Sequence, residues 1–191
     1  MIYGTVLCLG DSITFGARSE YTRAYPEELA KLMTEHYDQN WSTINAGING
    51  QTSVDILRRT FPTVGSFAGQ PGAKIGCLMA GTNDSKNPDY PLDLYKDNMR
   101  QMINIFRRHD LRLLIGTLPP IKGDEMPCFF TRESNEWIQK ANVVIRELAD
   151  EYTLPLVDFS DMEEYLIDGV HLNYAGYLKM AHRWFKAIQE L

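Results

Sequence analysis

A serine and a histidine that could work as a pair lie at opposite ends of the chain, each in a short glycine-containing block. Gly10-Asp11-Ser12 stands near the start and Asp168-Gly169-Val170-His171 near the end. A serine hydroxyl attacks a carbonyl only when an oriented base takes its proton. His171 is the best placed imidazole, because His36, His109 and His182 fall in predicted helices. Asp168, three residues before His171, can accept from the ring nitrogen facing away from Ser12. That bond would fix the tautomer and stabilise the imidazolium. Either block alone has a plainer reading: Gly-Asp-Ser as a helix cap, Asp-Gly as a turn.

Acyl transfer also needs donors for the negative charge that develops on the carbonyl oxygen. Two further blocks offer them, Asn45 to Gly50 and Gly81-Thr82-Asn83-Asp84. Gly50 can bring a bare backbone N–H close to a ligand. Gly47 could equally be the close-approach glycine, and Gly50 is preferred. The Asn83 side-chain amide and the Ser12 backbone N–H complete the proposed oxyanion hole. Candidate substrate contacts are Asp11, Phe15, Met126, Phe129 and Phe130, with Tyr21 and Tyr25 as further wall residues. Arg18 and Arg23 could meet an anionic head group, although solvated surface is the plainer role for both.

These blocks need elements that bring them together. Apolar runs at 3–9, 42–46, 74–80, 111–117 and 155–158 read as strands, the first and fourth apolar enough to be covered on both faces. Helical spacing links Pro26, Leu29, Met33 and His36; Leu92, Tyr95, Met99, Met102 and Phe106; Trp137 to Leu148; and Tyr177 to Ile188. A short helix with Ser53 as N-cap is expected to place Val54 and Leu57 on one face. Residues 61–73 and 118–131 are expected to be long loops, rich in Gly and Pro. Alternating β and α elements imply a parallel sheet between two helical layers. The expected fold is a three-layer α/β/α, flavodoxin-like arrangement of five strands ordered 2-1-3-4-5. Ligands of such sheets bind beyond the carboxyl ends of the strands, near the switch in strand order. Ser12, Gly50 and Asn83 follow the first three strands, so the topology gathers them at one edge.

Composition narrows the partners. A length of 191 residues fits one domain, taken as 1–191. With 25 acidic and 19 basic residues the net charge is −6, and no basic stripe points to nucleic acid. Cys8, Cys77 and Cys128 are too few and too scattered for a disulfide framework or a zinc site. The chain enters a strand at once, without a signal peptide, and no apolar stretch is long enough for a spanning helix, so a cytoplasmic location is expected.

The four blocks together resemble the SGNH hydrolase superfamily, the GDSL-type esterases and lipases. Gly-Asp-Ser-Ile-Thr is similar to its nucleophile block at Ser12, and Asn-Ala-Gly-Ile-Asn-Gly to its glycine block at Gly50. Gly-Thr-Asn-Asp is similar to its asparagine block at Asn83, and Asp-Gly-Val-His-Leu-Asn to its Asp-x-x-His block at Asp168 and His171. The resemblance runs from residue 4 to about 180. It implies a serine esterase or acylhydrolase with a flexible, shallow pocket and no metal or organic cofactor, acting on a small-molecule acyl ester. It leaves open a sugar O-acetylesterase against a lysophospholipase or thioesterase. A reading from another class is a non-catalytic binder holding an anion at glycine-rich turns and helix N-termini.

Overall fold

Residues 3–19, 23–122 and 130–191 are described by the structure, a computed structural model. Strands β1 (Gly4–Gly10), β2 (Trp41–Gly47), β3 (Ala73–Met79), β4 (Arg112–Gly116) and β5 (Leu156–Val157) form one sheet in the order β2-β1-β3-β4-β5. Every neighbouring pair is parallel, and Gly10 lies level with Gly47 and Met79 at the carboxyl edge. The expected strand number, order and direction are all present. β1 is buried along its whole length, which is why its sequence lacks an in-out alternation.

Helices cover both faces of this sheet. On one side α2 (Tyr25–Tyr37) packs against α6 (Tyr174–Gln189). On the other, α3 (Ser53–Ala68), α4 (Leu92–Arg108) and α5 (Arg132–Tyr152) pack side by side. A four-residue helix, α1 (Ser12–Phe15), follows β1 directly. The helical stripes read from the sequence supply the core: Met99, Met102 and Phe106 of α4, Ile138 and Ile145 of α5, and Tyr177 and Trp184 of α6 are all buried. Trp184 sits between Tyr25 and Phe159, with ring centroids at 6.2 and 5.3 Å.

Three local expectations are corrected. The loop expected at 61–73 is largely helix, because α3 continues through Pro62 to Ala68. Proline removes one helical N–H, yet it lies on the exposed side, where water can satisfy the orphaned carbonyl. Ile56, Thr60, Val64 and Phe67 meanwhile bury a stripe that holds the helix together. Leu57 packs against the core beside this stripe, and only residues 69–72 connect α3 to β3. The N-cap of α3 is Thr52 rather than Ser53: its hydroxyl accepts from the Asp55 N–H, and the Asp55 carboxylate accepts from the Thr52 N–H at 3.1 Å. His109 lies just past the end of α4, as its C-cap, and not within the helix.

Candidate active site

Each block stands where a strand or a loop delivers it to the carboxyl edge. Asp11 caps α1, its carboxylate accepting from the Ile13 N–H at 2.9 Å. Ser12 is thereby the first residue of a helix, where the backbone N–H has no partner within the helix. At the far end of the chain, residues 166–172 double back through paired Leu166 and Leu172. The Gly169 carbonyl accepts from the Lys122 N–H at 2.8 Å, so the loop after β4 braces this turn. Within it, one Asp168 oxygen accepts from the backbone N–H groups of His171 at 2.8 Å and Val170 at 3.1 Å.

The turn aims His171 at Ser12. His171 Nε2 lies 2.9 Å from Ser12 Oγ, and His171 Nδ1 lies 2.8 Å from Asp168 Oδ2. Residues 159 positions apart thus form a continuous hydrogen-bonded chain. Burial works to raise the Asp168 pKa, but the His171 and Val170 N–H groups and the His171 ring hold it below the ordinary carboxylate value. Asp168 is therefore an anion at neutral pH, suited to fix the ring with Nδ1 protonated and Nε2 free to accept. Arg18 adds a partner that sequence reasoning placed on the solvated surface: its Nε reaches the same Asp168 oxygen at 2.8 Å. Arg23 pairs instead with Glu28 at 3.8 Å.

The oxyanion candidates converge on the same space. Gly50 is exposed with φ at +77°, a left-handed conformation that favours glycine, and a Cβ there would meet nothing within 4 Å. Gly47 is the close-approach glycine for a different reason, since its Cβ would fall 2.1 Å from the Phe15 nitrogen. Its role is to let α1 pack on the end of β2. Asn83 is the second residue of a short 3-10 turn, Thr82–Lys86, and its amide donates to the Gln51 carbonyl at 3.0 Å. Asn83 lines the same cleft as Ser12 and Gly50. Behind it, the Asp84 carboxylate accepts from Ser53 N at 2.8 Å and Ser53 Oγ at 2.5 Å. Burial pushes the Asp84 pKa up to about 6 despite these donors.

A cleft of about 540 Å³ joins these groups; Ser12, Asn49, Gly50, Asn83 and His171 line it, with Phe15, Phe130 and Val170 as apolar wall. Phe130 is largely buried, and the Lys86 ammonium sits 5.3 Å from its ring centroid. Larger concavities, of about 620 and 880 Å³, surround Tyr3, Gln39 and Gly72 at the amino ends of the strands, and their lining holds no serine–histidine pair. Two expected contacts are not in the wall. Asp11 is fully buried beneath α1, and burial raises its pKa. Tyr25 is buried in the core with its hydroxyl 3.2 Å from that of Thr14. Tyr21, Met126, Cys128 and Phe129 lie outside the described residues.

Among the described residues, no group of three or more His, Cys, Asp or Glu is placed to hold a metal ion, and no helix is long and apolar enough to cross a membrane. The arrangement can move a proton from a hydroxyl to an imidazole beside several N–H donors, which is the chemistry of acyl transfer.

Comparison with known proteins places the chain in a family. The model of the GDSL-like lipase/acylhydrolase family matches residues 8–179. The chain is 26% identical over 176 residues to the uncharacterized lipoprotein YqeF of Bacillus subtilis, covering 82% of this chain and 70% of that protein. It is 25% identical over 193 residues to thioesterase 1/protease 1/lysophospholipase L1 of Escherichia coli K12, covering 98% and 84%. In fold it is similar to the native aryl esterase of M. smegmatis, with a TM-score of 0.80 at 16% identity, covering 98% and 99%. With the family model spanning all four blocks, the chain belongs to the GDSL-like lipase/acylhydrolase family and is a carboxylic ester hydrolase.

Proposed function

We propose that residues 1–191 act as one domain and hydrolyse small or medium acyl esters through an acyl-enzyme on Ser12. Ser12 Oγ attacks the carbonyl carbon as its proton passes to His171 Nε2. The resulting oxyanion is held by the N–H groups of Ser12 and Gly50 and by the Asn83 amide. His171 then gives its proton to the departing alcohol or thiol, and activates the water that releases the acid. Asp168 keeps the ring oriented throughout. The observation that supports this reading is the 2.9 Å contact between Ser12 Oγ and His171 Nε2 at the mouth of an open cleft.

The apolar wall formed by Phe15, Phe130 and Val170 favours acyl chains longer than acetate. The Escherichia coli relative named as a thioesterase and lysophospholipase points the same way. No nucleic acid or cofactor enters the reaction. The proposed location is cytoplasmic, and because one relative is named a lipoprotein, cell fractionation is its test.

Initial rates on p-nitrophenyl acetate, butyrate, hexanoate and octanoate test the substrate class. Each buried methylene is worth about 0.8 kcal/mol, so kcat/KM should rise by about two- to fourfold per methylene up to the length the cleft covers. A steep optimum at acetate would assign the protein to short-chain deacetylation instead. Hydrolysis that survives in Ser12→Ala would overturn the mechanism.

A further inference from the structure

The arginine at position 59, outside the four blocks, links Gly10 of the first to Gln51, the residue just after the second. Arg59 sits two turns into α3 and is half-buried. Its Nη2 donates to the Gly10 carbonyl at 2.8 Å, and its Nε donates to Gln51 Oε1 at 2.6 Å. Gly10 ends β1 two residues before Ser12, and its carbonyl also accepts from the Ile48 N–H at 3.2 Å. Gln51 follows Gly50, and its own carbonyl accepts the Asn83 amide at 3.0 Å. One planar guanidinium thus ties the end of the nucleophile strand to the segment that carries one oxyanion donor and anchors another. Two donors in a fixed fork set both distance and direction, which a single ammonium cannot do.

The surrounding charge fits this placement. Asp11 is fully buried nearby, with the Thr82 hydroxyl as a neighbour of its carboxyl group. Partial burial lowers the Arg59 pKa, and the attraction of Asp11 works against that.

We infer that Arg59, acting through Gln51, is a positioning residue that holds the Gly50 and Asn83 donors at their working distance from Ser12. The inference rests on the acyl-enzyme reading above. It predicts a loss in turnover rather than in substrate binding, because the donors act on the charge formed in the transition state.

The test uses Arg59→Lys, Gln51→Ala and the double variant. A fluorophosphonate burst first counts the competent Ser12 in each preparation, so that misfolded protein is removed from the comparison. Per titrated site, each single variant should lose about tenfold in kcat with KM within about twofold. Inhibition by an alkylboronic acid, whose tetrahedral anion occupies the same donors, should weaken by a matching factor. The double variant should be no worse than the more impaired single one, because both changes cut one bridge. Unchanged kcat per titrated site, or losses that multiply in the double variant, would overturn the inference. Neither result bears on whether Ser12 is the nucleophile, which Ser12→Ala decides separately.

Discussion

The side-chain amide of Asn83 donates to the backbone carbonyl of Gln51 at 3.0 Å, which locks the turn after β3 to the residue beside Gly50. This bond uses one amide proton and leaves the other for the proposed oxyanion role. Asn83→Ala removes both the brace and a donor. Turnover on p-nitrophenyl butyrate should fall by about 10²–10³, with KM changed far less. A loss below threefold would take Asn83 out of the oxyanion role.

Gly50 and Gly47 should respond differently to the same added methyl group. At Gly50 the space is open but φ is +77°, so alanine pays only backbone strain, about 1–2 kcal/mol. At Gly47 the methyl would fall 2.1 Å from the Phe15 nitrogen, and α1 must move. Overpacking of that kind typically costs about 1–3 kcal/mol or more. Gly47→Ala should show the larger drop in Tm, whereas Gly50→Ala should lose more in kcat than its Tm explains. Equal changes in Tm would contradict this assignment.

Asp84 should make stability depend on pH. Its folded pKa is raised from 3.8 to about 6, so the folded state binds the proton more tightly than the unfolded chain does. Its contribution is complete below the unfolded value and is lost as pH rises through about 6. At about 1.4 kcal/mol per pKa unit the loss is roughly 3 kcal/mol. Denaturant titrations of wild type and Asp84→Asn at pH 4 and pH 7.5 read it as a difference. The wild type should fall relative to the variant across that window. A constant difference would mean that Asp84 does not titrate there.

Arg18 contacts the same Asp168 oxygen as the His171 ring, yet its side chain is 67% exposed. Exposed ion pairs are worth about 0–1 kcal/mol, and Asp168 keeps three donors from residues 170 and 171 without it. Arg18→Ala should therefore lower kcat/KM by less than about fivefold. A hundredfold loss would show that the orientation of Asp168 depends on this cation.

What could be read from the sequence was what local chemistry encodes. Unbroken apolar runs in β1 and β4, and helical stripes such as Met99–Met102–Phe106, record burial residue by residue, so the layers and the strand order were legible. Glycines set against Ser, Asn or His record where a backbone turns at a strand end. The extent of α3 was hidden because Pro62 and Gly65 signal a break locally, while the buried stripe from Ile56 to Phe67 outweighs them in the folded body. Asp11 is adjacent to Ser12 in the chain, yet the turn into α1 sends its carboxylate inward to cap the helix. Arg59 with Gly10, Ser53 with Asp84 and Arg18 with Asp168 are pairings made by the fold, at separations where no periodicity reports them.

In the proposed mechanism His171 activates the Ser12 hydroxyl by taking its proton. Intact-mass spectrometry after brief exposure to a fluorophosphonate, with peptide mapping of the adduct, reads this activation. Wild-type protein should gain one phosphonyl group, located on Ser12. Ser12→Ala should gain none, and His171→Ala should react at least a hundredfold more slowly while keeping its fold by circular dichroism. An adduct on another residue, or undiminished labelling of well-folded His171→Ala, would contradict the account.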